Sequence, residues 1–174
     1  VVQNGCVDPE IASQLADESD EPADLPEKYV LYVGSLSQRK NVQGVMAACE
    51  ILFDQFPDLE ALYVGGQAKV FSRKEWKVSA DVAIRTRFLG QLHDDGSLCR
   101  LYRNASCFIF PSFYEASPMP PTEAMANGCP VVASAIPPHH ERLGDAVLYC
   151  DPSDPADIAR KVATVLSDPG VAHG

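Results

Sequence analysis

The sequence predicts an α/β protein: a single Rossmann-like domain, a parallel sheet of about six strands with helices on both faces. Two observations predict it. Short apolar runs rich in β-branched and aromatic residues recur along the chain, as at Tyr29–Val33, Leu59–Val64 and Cys107–Phe110. Between them lie stretches whose apolar residues fall at helical spacing, as at Val42, Val45, Met46, Cys49, Leu52 and Phe53. Strand and helix signals that alternate along a whole chain argue for a parallel sheet covered on both sides. The length, 174 residues, suits one domain with a full core.

The elements follow in order. Residues 1–8 open with two strand formers and an Asn4-Gly5 turn. Residues 9–28 form an acidic connecting segment with Glu18, Asp20, Glu21 and Asp24 close together and prolines at 22 and 26. Tyr29–Val33 is the first strand of the repeating pattern. It runs into Gly34-Ser-Leu-Ser-Gln-Arg-Lys-Asn41, after which a helix begins and Pro57 ends it. The second strand, Leu59–Val64, stops at Gly65-Gly66.

Residues 67–85 mix Lys69, Arg73, Lys74 and Lys77 with Val70, Phe71, Trp76 and Val78, which predicts an amphipathic helix. A short third strand lies at Arg87–Leu89, then a loop, then a helix Leu98–Asn104 capped by Ser97. The fourth strand is Cys107–Phe110, closed by Pro111. A proline-rich loop leads to a helix starting near Glu123 and a turn at Asn127-Gly128. The fifth strand is Val131–Ala133, followed by a loop at Ile136–His140 and a turn at Glu141–Gly144. A sixth strand is expected at Ala146–Cys150. A final helix follows at Ala156–Leu166, capped by Asp154 with Pro155 at its first position. Residues 167–174 read as a tail.

Composition narrows the function. Hydrophobic residues make up 46% and charged residues 22%, an ordinary globular balance. The net charge of -10 argues against sequence-independent nucleic-acid binding, which relies on Lys and Arg against phosphate. No run approaches the roughly 20 apolar residues of a membrane span, and no charged start precedes an apolar core as in a signal peptide. The expected location is cytoplasmic. The six cysteines are widely spaced, without Cys-x-x-Cys, and read as reduced core residues. Zinc-ligand spacing is absent, so no metal site is expected.

Two places carry chemistry. At Gly34–Asn41 a strand gives way to a helix, whose N-terminus offers free N–H groups and a partial positive charge. Arg39 and Lys40 add two full charges there. Cations are disfavoured at the positive end of a helix, so an anionic ligand reads better than a solvated basic pair. The spacing is neither Gly-x-Gly-x-x-Gly nor a Walker loop. The second place holds Glu115 and Glu123. These read either as a loop carboxylate and a helix-start carboxylate, or as groups that accept the hydroxyls of a vicinal diol. Gly65-Gly66 is a plain tight turn or a close backbone approach. His93, His139 and His140 are expected to be exposed loop histidines.

In this order the motifs resemble the C-terminal, donor-binding domain of the retaining GT-B glycosyltransferases of family 4. The resemblance covers nearly the whole chain. It rests on Tyr29–Asn41 with its Arg-Lys-Asn loop, Leu62–Gly66, Phe88–Gly90, and the closing Glu-x-x-Gly-Asp-Ala and Asp-Pro-x-Asp-Pro segments within Glu141–Pro155. Its most specific part is Glu115, seven residues, then Glu123 followed by Ala-Met-Ala-Asn-Gly-Cys-Pro-Val.

The resemblance implies roles. Arg39 and Lys40 would hold the donor diphosphate and stabilise the departing nucleoside diphosphate. Glu123 would bind the ribose hydroxyls, and Glu115 would face the transferred sugar. Gly34 and Ser35 would line the donor site, with Gly90, Gln91 and Leu92 flanking the base. Ala116, Ser117, Pro118, Met119 and Pro120 would present the sugar-phosphate loop. No cofactor is implied beyond a GDP-, UDP- or dTDP-linked sugar donor, and the family is metal-independent.

Where the family has Gly-Phe-Gly, this chain has Ala116-Ser117-Pro118, and Pro118 has no N–H to offer. The N-terminal acceptor domain of such enzymes is not part of the sequence. The chain alone is therefore expected to be inactive in transfer, with any membrane association residing in that other half. The alternatives are a non-catalytic nucleotide-sugar-binding or regulatory module, or a fragment of a GT-B sugar-nucleotide epimerase.

Overall fold

The computed structural model describes residues 10, 14, 25–66, 79–92 and 94–168. Six strands form one parallel sheet in the order β3-β2-β1-β4-β5-β6. In chain order, β1 is Tyr29–Val33, α1 Val42–Gln55, β2 Glu60–Val64, α2 Ala80–Ile84, β3 Thr86–Gly90 and α3 Asp95–Asn104. Then come β4 Cys107–Phe110, α4 Met119–Ala126, β5 Val131–Ser134, α5 Pro137–Leu143, β6 Leu148–Cys150 and α6 Pro155–Ser167.

The two-residue strand period sorts the core onto both faces. Val30 and Tyr32 of β1 pack with Val45, Cys49 and Leu52 of α1, Val82 of α2 and Ile158 and Val162 of α6. Tyr29 and Leu31 point the other way, onto Leu101 and Tyr102 of α3, Ala124 of α4 and Leu143 of α5. Burial on both faces explains why the strands read as continuous apolar runs rather than alternating ones. The expected α/β sheet with helices on both faces is thus the observed architecture. Cys49, Cys99, Cys107, Cys129 and Cys150 are all free and buried within it.

Strand order reverses between β1 and β4, which pair in parallel through Val30–Cys107 and Leu31–Phe108. The C-terminal edge of such a reversal is where open α/β sheets bind ligands. Both chemistry-bearing segments hang from these two strands.

Several element expectations shift. The chain before Leu25, except residues 10 and 14, lies outside the described residues, as do most of the 67–85 helix and His93; its end survives as the short α2. Helix α3 starts at Asp95, because Asp94 rather than Ser97 supplies the cap: its carboxylate accepts from the Gly96 and Ser97 N–H groups. Helix α4 starts at Met119, not near Glu123; prolines at its second and third positions need no N–H donor there. Glu123 is therefore inside the helix and not at its mouth.

The segment expected as a loop and turn from 136 to 144 is helix α5, begun by Pro137 and Pro138. β6 is shorter than expected, at Leu148–Cys150. The final helix runs from Pro155 to Ser167 with Asp154 accepting from the Ala156 N–H.

Candidate functional site

The turn after β1 is built around Asn41. Gln38–Lys40 makes a short 3-10 turn, and Asn41 follows in the left-handed region at φ 57°. Asn tolerates that conformation better than most residues. Its side-chain oxygen accepts from the Gly44 N–H at 3.2 Å and so caps α1. A Cβ at Gly44 would sit 2.5 Å from that oxygen, so the cap requires glycine there. The Asn41 amide also donates to the carbonyls of Pro111 at 3.1 Å and Pro152 at 2.7 Å. One side chain thus ties together the loops after β1, β4 and β6.

Arg39 and Lys40 therefore lie just before the helix, not within it. Both meet Glu115. Lys40 Nζ is 2.6 Å from Glu115 Oε1, and Arg39 Nη1 is 3.2 Å from Oε2. Arg39 also donates to the Tyr114 carbonyl at 2.9 Å. Lys40 lies 4.5 Å from the Phe110 ring centroid, a cation–π arrangement.

Of the two readings of Glu115, the plain exposed loop carboxylate is ruled out: it is 5% exposed. Burial alone would push its carboxyl up, but hydrogen bonding from Lys40 and Ser112 and the two nearby cations hold it below the ordinary value. The unfavourable placement of two cations near a helix start is thus offset by a carboxylate of the chain itself. Lys40 is 9% exposed and sits inside this cluster, while Arg39 is exposed.

A cavity of about 500 Å³ opens beside this cluster. Gly34, Ser35, Gly65, Gly66, Gln91 and Leu92 line it, with Leu98 from α3. Gly65 is a case of close approach: a Cβ there would meet the Gly34 carbonyl oxygen at 2.0 Å. The Gly34 N–H donates to the Val64 carbonyl at 2.9 Å, and the Gly65 N–H to the Gly90 carbonyl at 2.7 Å. The three strand ends are therefore laced together by backbone bonds, and Val33 and Val64 complete the lining.

Glu123 is placed apart from the cations. It accepts from Tyr102 Oη at 3.2 Å, and no hydrogen bond or ion pair joins it to Arg39, Lys40 or Glu115. Burial raises its carboxyl, with Asp95 adding to the rise and Tyr102 opposing it. Tyr102 lies one helical turn after Leu98, which lines the cavity, while neither Tyr102 nor Glu123 is among the cavity's lining residues. Ala116 and Ser117 are exposed, Pro118 is buried as the residue before α4, and Met119 and Pro120 are half-buried. Met119 Sδ receives a contact from Arg142 at 3.5 Å.

Sequence reasoning missed His139. It is fully buried, not an exposed loop histidine. The signal available was Pro137-Pro138, which starts a helix as readily as it makes a loop. A second cavity, about 320 Å³, lies between Gln38, Gln43, Phe113 and Pro152-Ser153 and holds none of the expected ligand-binding residues. Among the described residues no His, Cys, Asp and Glu cluster could hold a metal ion, and no helix is long and apolar enough to cross a membrane.

A parallel sheet of this strand order is Rossmann-like, and its likeness to known proteins makes it a glycosyltransferase domain of the GT-B type. The chain belongs to the family described as glycosyl transferases group 1, whose profile matches residues 14–173. It is 34% identical over 144 residues to an O-antigen chain mannosyltransferase B of Escherichia coli, covering 80% of this chain and 37% of that protein. It is 33% identical over 162 residues to a glycogen synthase of Mycobacterium tuberculosis, covering 87% of this chain and 36% of that protein. The chain therefore spans little more than a third of these relatives.

Among solved structures, a sucrose-phosphate synthase from Thermosynechococcus elongatus superposes with a TM-score of 0.70 at 31% identity, over 87% of this chain and 39% of that one. The C-terminal domain of a glycosyl transferase group 1 protein from Francisella tularensis matches with a TM-score of 0.78 over 96% of this chain and 91% of that one. At 22% identity the latter shares the fold.

Proposed function

We propose that this chain is the donor-binding half of a retaining glycosyltransferase of family 4, which moves a hexosyl group from a nucleotide-diphosphate sugar to a glycan, lipid or other acceptor. The single observation that supports it is the Arg39–Lys40–Glu115 cluster at the sheet reversal, next to the cavity at the ends of β1, β2 and β3 that Gly34 lines and whose edge the Lys40 stem approaches.

The base and ribose enter the cavity lined by Gly34, Ser35, Gln91 and Leu92. The diphosphate meets Arg39, whose exposed guanidinium can turn outward, and Lys40. These cations stabilise charge on the departing nucleoside diphosphate. Glu115, fixed and ionised, accepts hydroxyls of the transferred sugar, and Glu123 takes the ribose diol once Tyr102 yields its hydrogen bond. The donor chemistry needs no metal.

Acceptor groups come from an N-terminal domain, without which the chain does not transfer sugar. The enzyme is cytoplasmic, and membrane association resides in that other half. Mannosyl donors are favoured by the mannosyltransferase relative.

Calorimetric titration with UDP, GDP and dTDP tests this. One of them binds saturably, Arg39→Ala weakens it, and the isolated chain shows no sugar transfer. Absence of binding by all three refutes it. A non-catalytic nucleotide-sugar module is the second reading. It is favoured by Pro118, Pro120 and Pro121, which remove three N–H donors from the start of α4. It is distinguished by donor binding without turnover even when an N-terminal half is supplied.

A further inference from the structure

The ring of His139 closes a chain of hydrogen bonds whose far end is the turn that carries Glu115. His139 stands at the third position of α5, and its ring reaches back to the end of β5. Nδ1 lies 2.9 Å from the Ser134 carbonyl and 3.1 Å from Ser134 Oγ. Ser134 Oγ in turn lies 2.6 Å from the Ser112 carbonyl. A carbonyl can only accept, so the single Ser134 hydroxyl proton goes to Ser112. The Ser134 carbonyl, which also accepts from the Ile136 N–H at 2.9 Å, and the Ser134 oxygen then offer Nδ1 only lone pairs, so Nδ1 must donate. The tautomer is therefore fixed with its proton on Nδ1. Nε2 is left as a buried lone pair with no partner among the described residues.

The order of donation is His139 to Ser134 to the Ser112 carbonyl, across the ends of β5 and β4. Ser112 is fully buried, three residues before Glu115. Its hydroxyl is one of the groups that lower the Glu115 carboxyl, though it makes no hydrogen bond of regular geometry among the described residues. The same turn is held from the opposite side by Asn41 on the Pro111 carbonyl and by the Phe113 N–H on the Arg39 carbonyl at 3.0 Å. The Pro111 and Ser112 carbonyls, adjacent in sequence, are thus pinned by two different strand-end loops. The ring also packs 5.6 Å from Phe110, which Lys40 and the Phe108 ring contact as well. The charged and titratable groups around it are Glu115, Lys40 and His140.

We propose that His139 is a positioning residue for the Glu115 carboxylate, acting through Ser134 and the Ser112 carbonyl and touching no ligand itself. Its consequence for sugar recognition rests on the function proposed above, but the positioning is readable on the unliganded chain.

The test is a carbon-13 NMR titration of the Glu115 side-chain carboxyl in wild type and in His139→Leu, His139→Asn, His139→Gln and Ser134→Ala. Asn places a donor where Nδ1 stands, and Gln places one where Nε2 stands. The midpoint is expected to keep its wild-type value in His139→Asn. In His139→Leu, His139→Gln and Ser134→Ala it rises toward about 4.3, the value of a free Glu. A histidine that merely fills space gives the opposite order, because Gln fills its volume better than Asn. An unchanged midpoint in folded His139→Leu, or rescue by Gln but not Asn, overturns the proposal. Should His139→Leu not fold, Ser134→Ala decides: a wild-type midpoint there overturns it equally.

Discussion

Lys40 and Glu115 meet at 2.6 Å across the point where the strand order reverses, one from the loop after β1 and the other from the loop after β4. Both side chains are shielded, 11% and 6% exposed, whereas Arg39 at the same carboxylate is 49% exposed. The two cations therefore differ in what they do for the fold. Removing one partner of a buried pair leaves an uncompensated charge and costs about 3–5 kcal/mol. An exposed pair contributes about 0–1 kcal/mol. Lys40→Ala is expected to lose about 3 kcal/mol by urea denaturation, and Arg39→Ala less than about 1. Nucleoside diphosphate affinity is expected to fall in both. Equal stability losses would contradict this division.

Two groups contribute to the acid limb of stability in separate pH windows. Burial lowers His139, with the Ser134 carbonyl and Glu115 opposing the fall, so the unfolded chain, near 6.5, takes its proton first. The unfolded state then binds more protons, and stability drops as pH falls from about 6.5 toward the lowered folded value. Glu115 is held below its ordinary range. Its contribution is complete above about 4.3 and is lost as pH falls through the folded value. Urea midpoints measured against pH are expected to lose the upper slope in His139→Asn and the lower slope in Glu115→Gln. A single slope unaffected by either change would refute the assignment.

Asn41 joins three loops with three hydrogen bonds while in a left-handed conformation. At about 1 kcal/mol per bond and about 1 more for the conformation, Asn41→Ala is expected to cost about 3–5 kcal/mol. Asn41→Gly recovers only the conformational part. A loss below about 1 kcal/mol in Asn41→Ala would show that the loops hold without this side chain.

The sheet was legible because burial on both faces writes each strand as a short unbroken apolar run. The Arg39–Lys40 loop was legible because two cations sit where a helix begins. What joins Arg39 and Lys40 to Glu115 was not, since 75 residues separate partners that only the β1–β4 pairing brings together. Helix starts were misplaced at α4 and α5 for one reason: both begin with prolines, which read as loop signals although a first helical turn accepts them. That misreading moved Glu123 to the helix mouth and His139 to the surface.

Glu123 is raised chiefly by burial while accepting from Tyr102. Glu123→Gln is expected to leave the unliganded chain no less stable at neutral pH. It should reduce the preference for GDP over 2′-deoxy-GDP by about tenfold, the loss of one charged hydrogen bond. Calorimetry with the two nucleotides reads the ratio, and an unchanged preference would remove Glu123 from the ribose.

The central claim is that a nucleoside diphosphate sits in the cavity at the ends of β1, β2 and β3 with its phosphates at Arg39 and Lys40. A nitrogen-15 NMR titration of the chain with GDP and, in parallel, UDP and dTDP tests it most directly. The expected result is saturable amide shifts at Gly34, Ser35, Gly65, Gly66 and Gln91, extending to Arg39 and Glu115. Shifts confined to Gln43, Gly44 and Ser153 at the second cavity, or no saturable shift with any of the three, would contradict it.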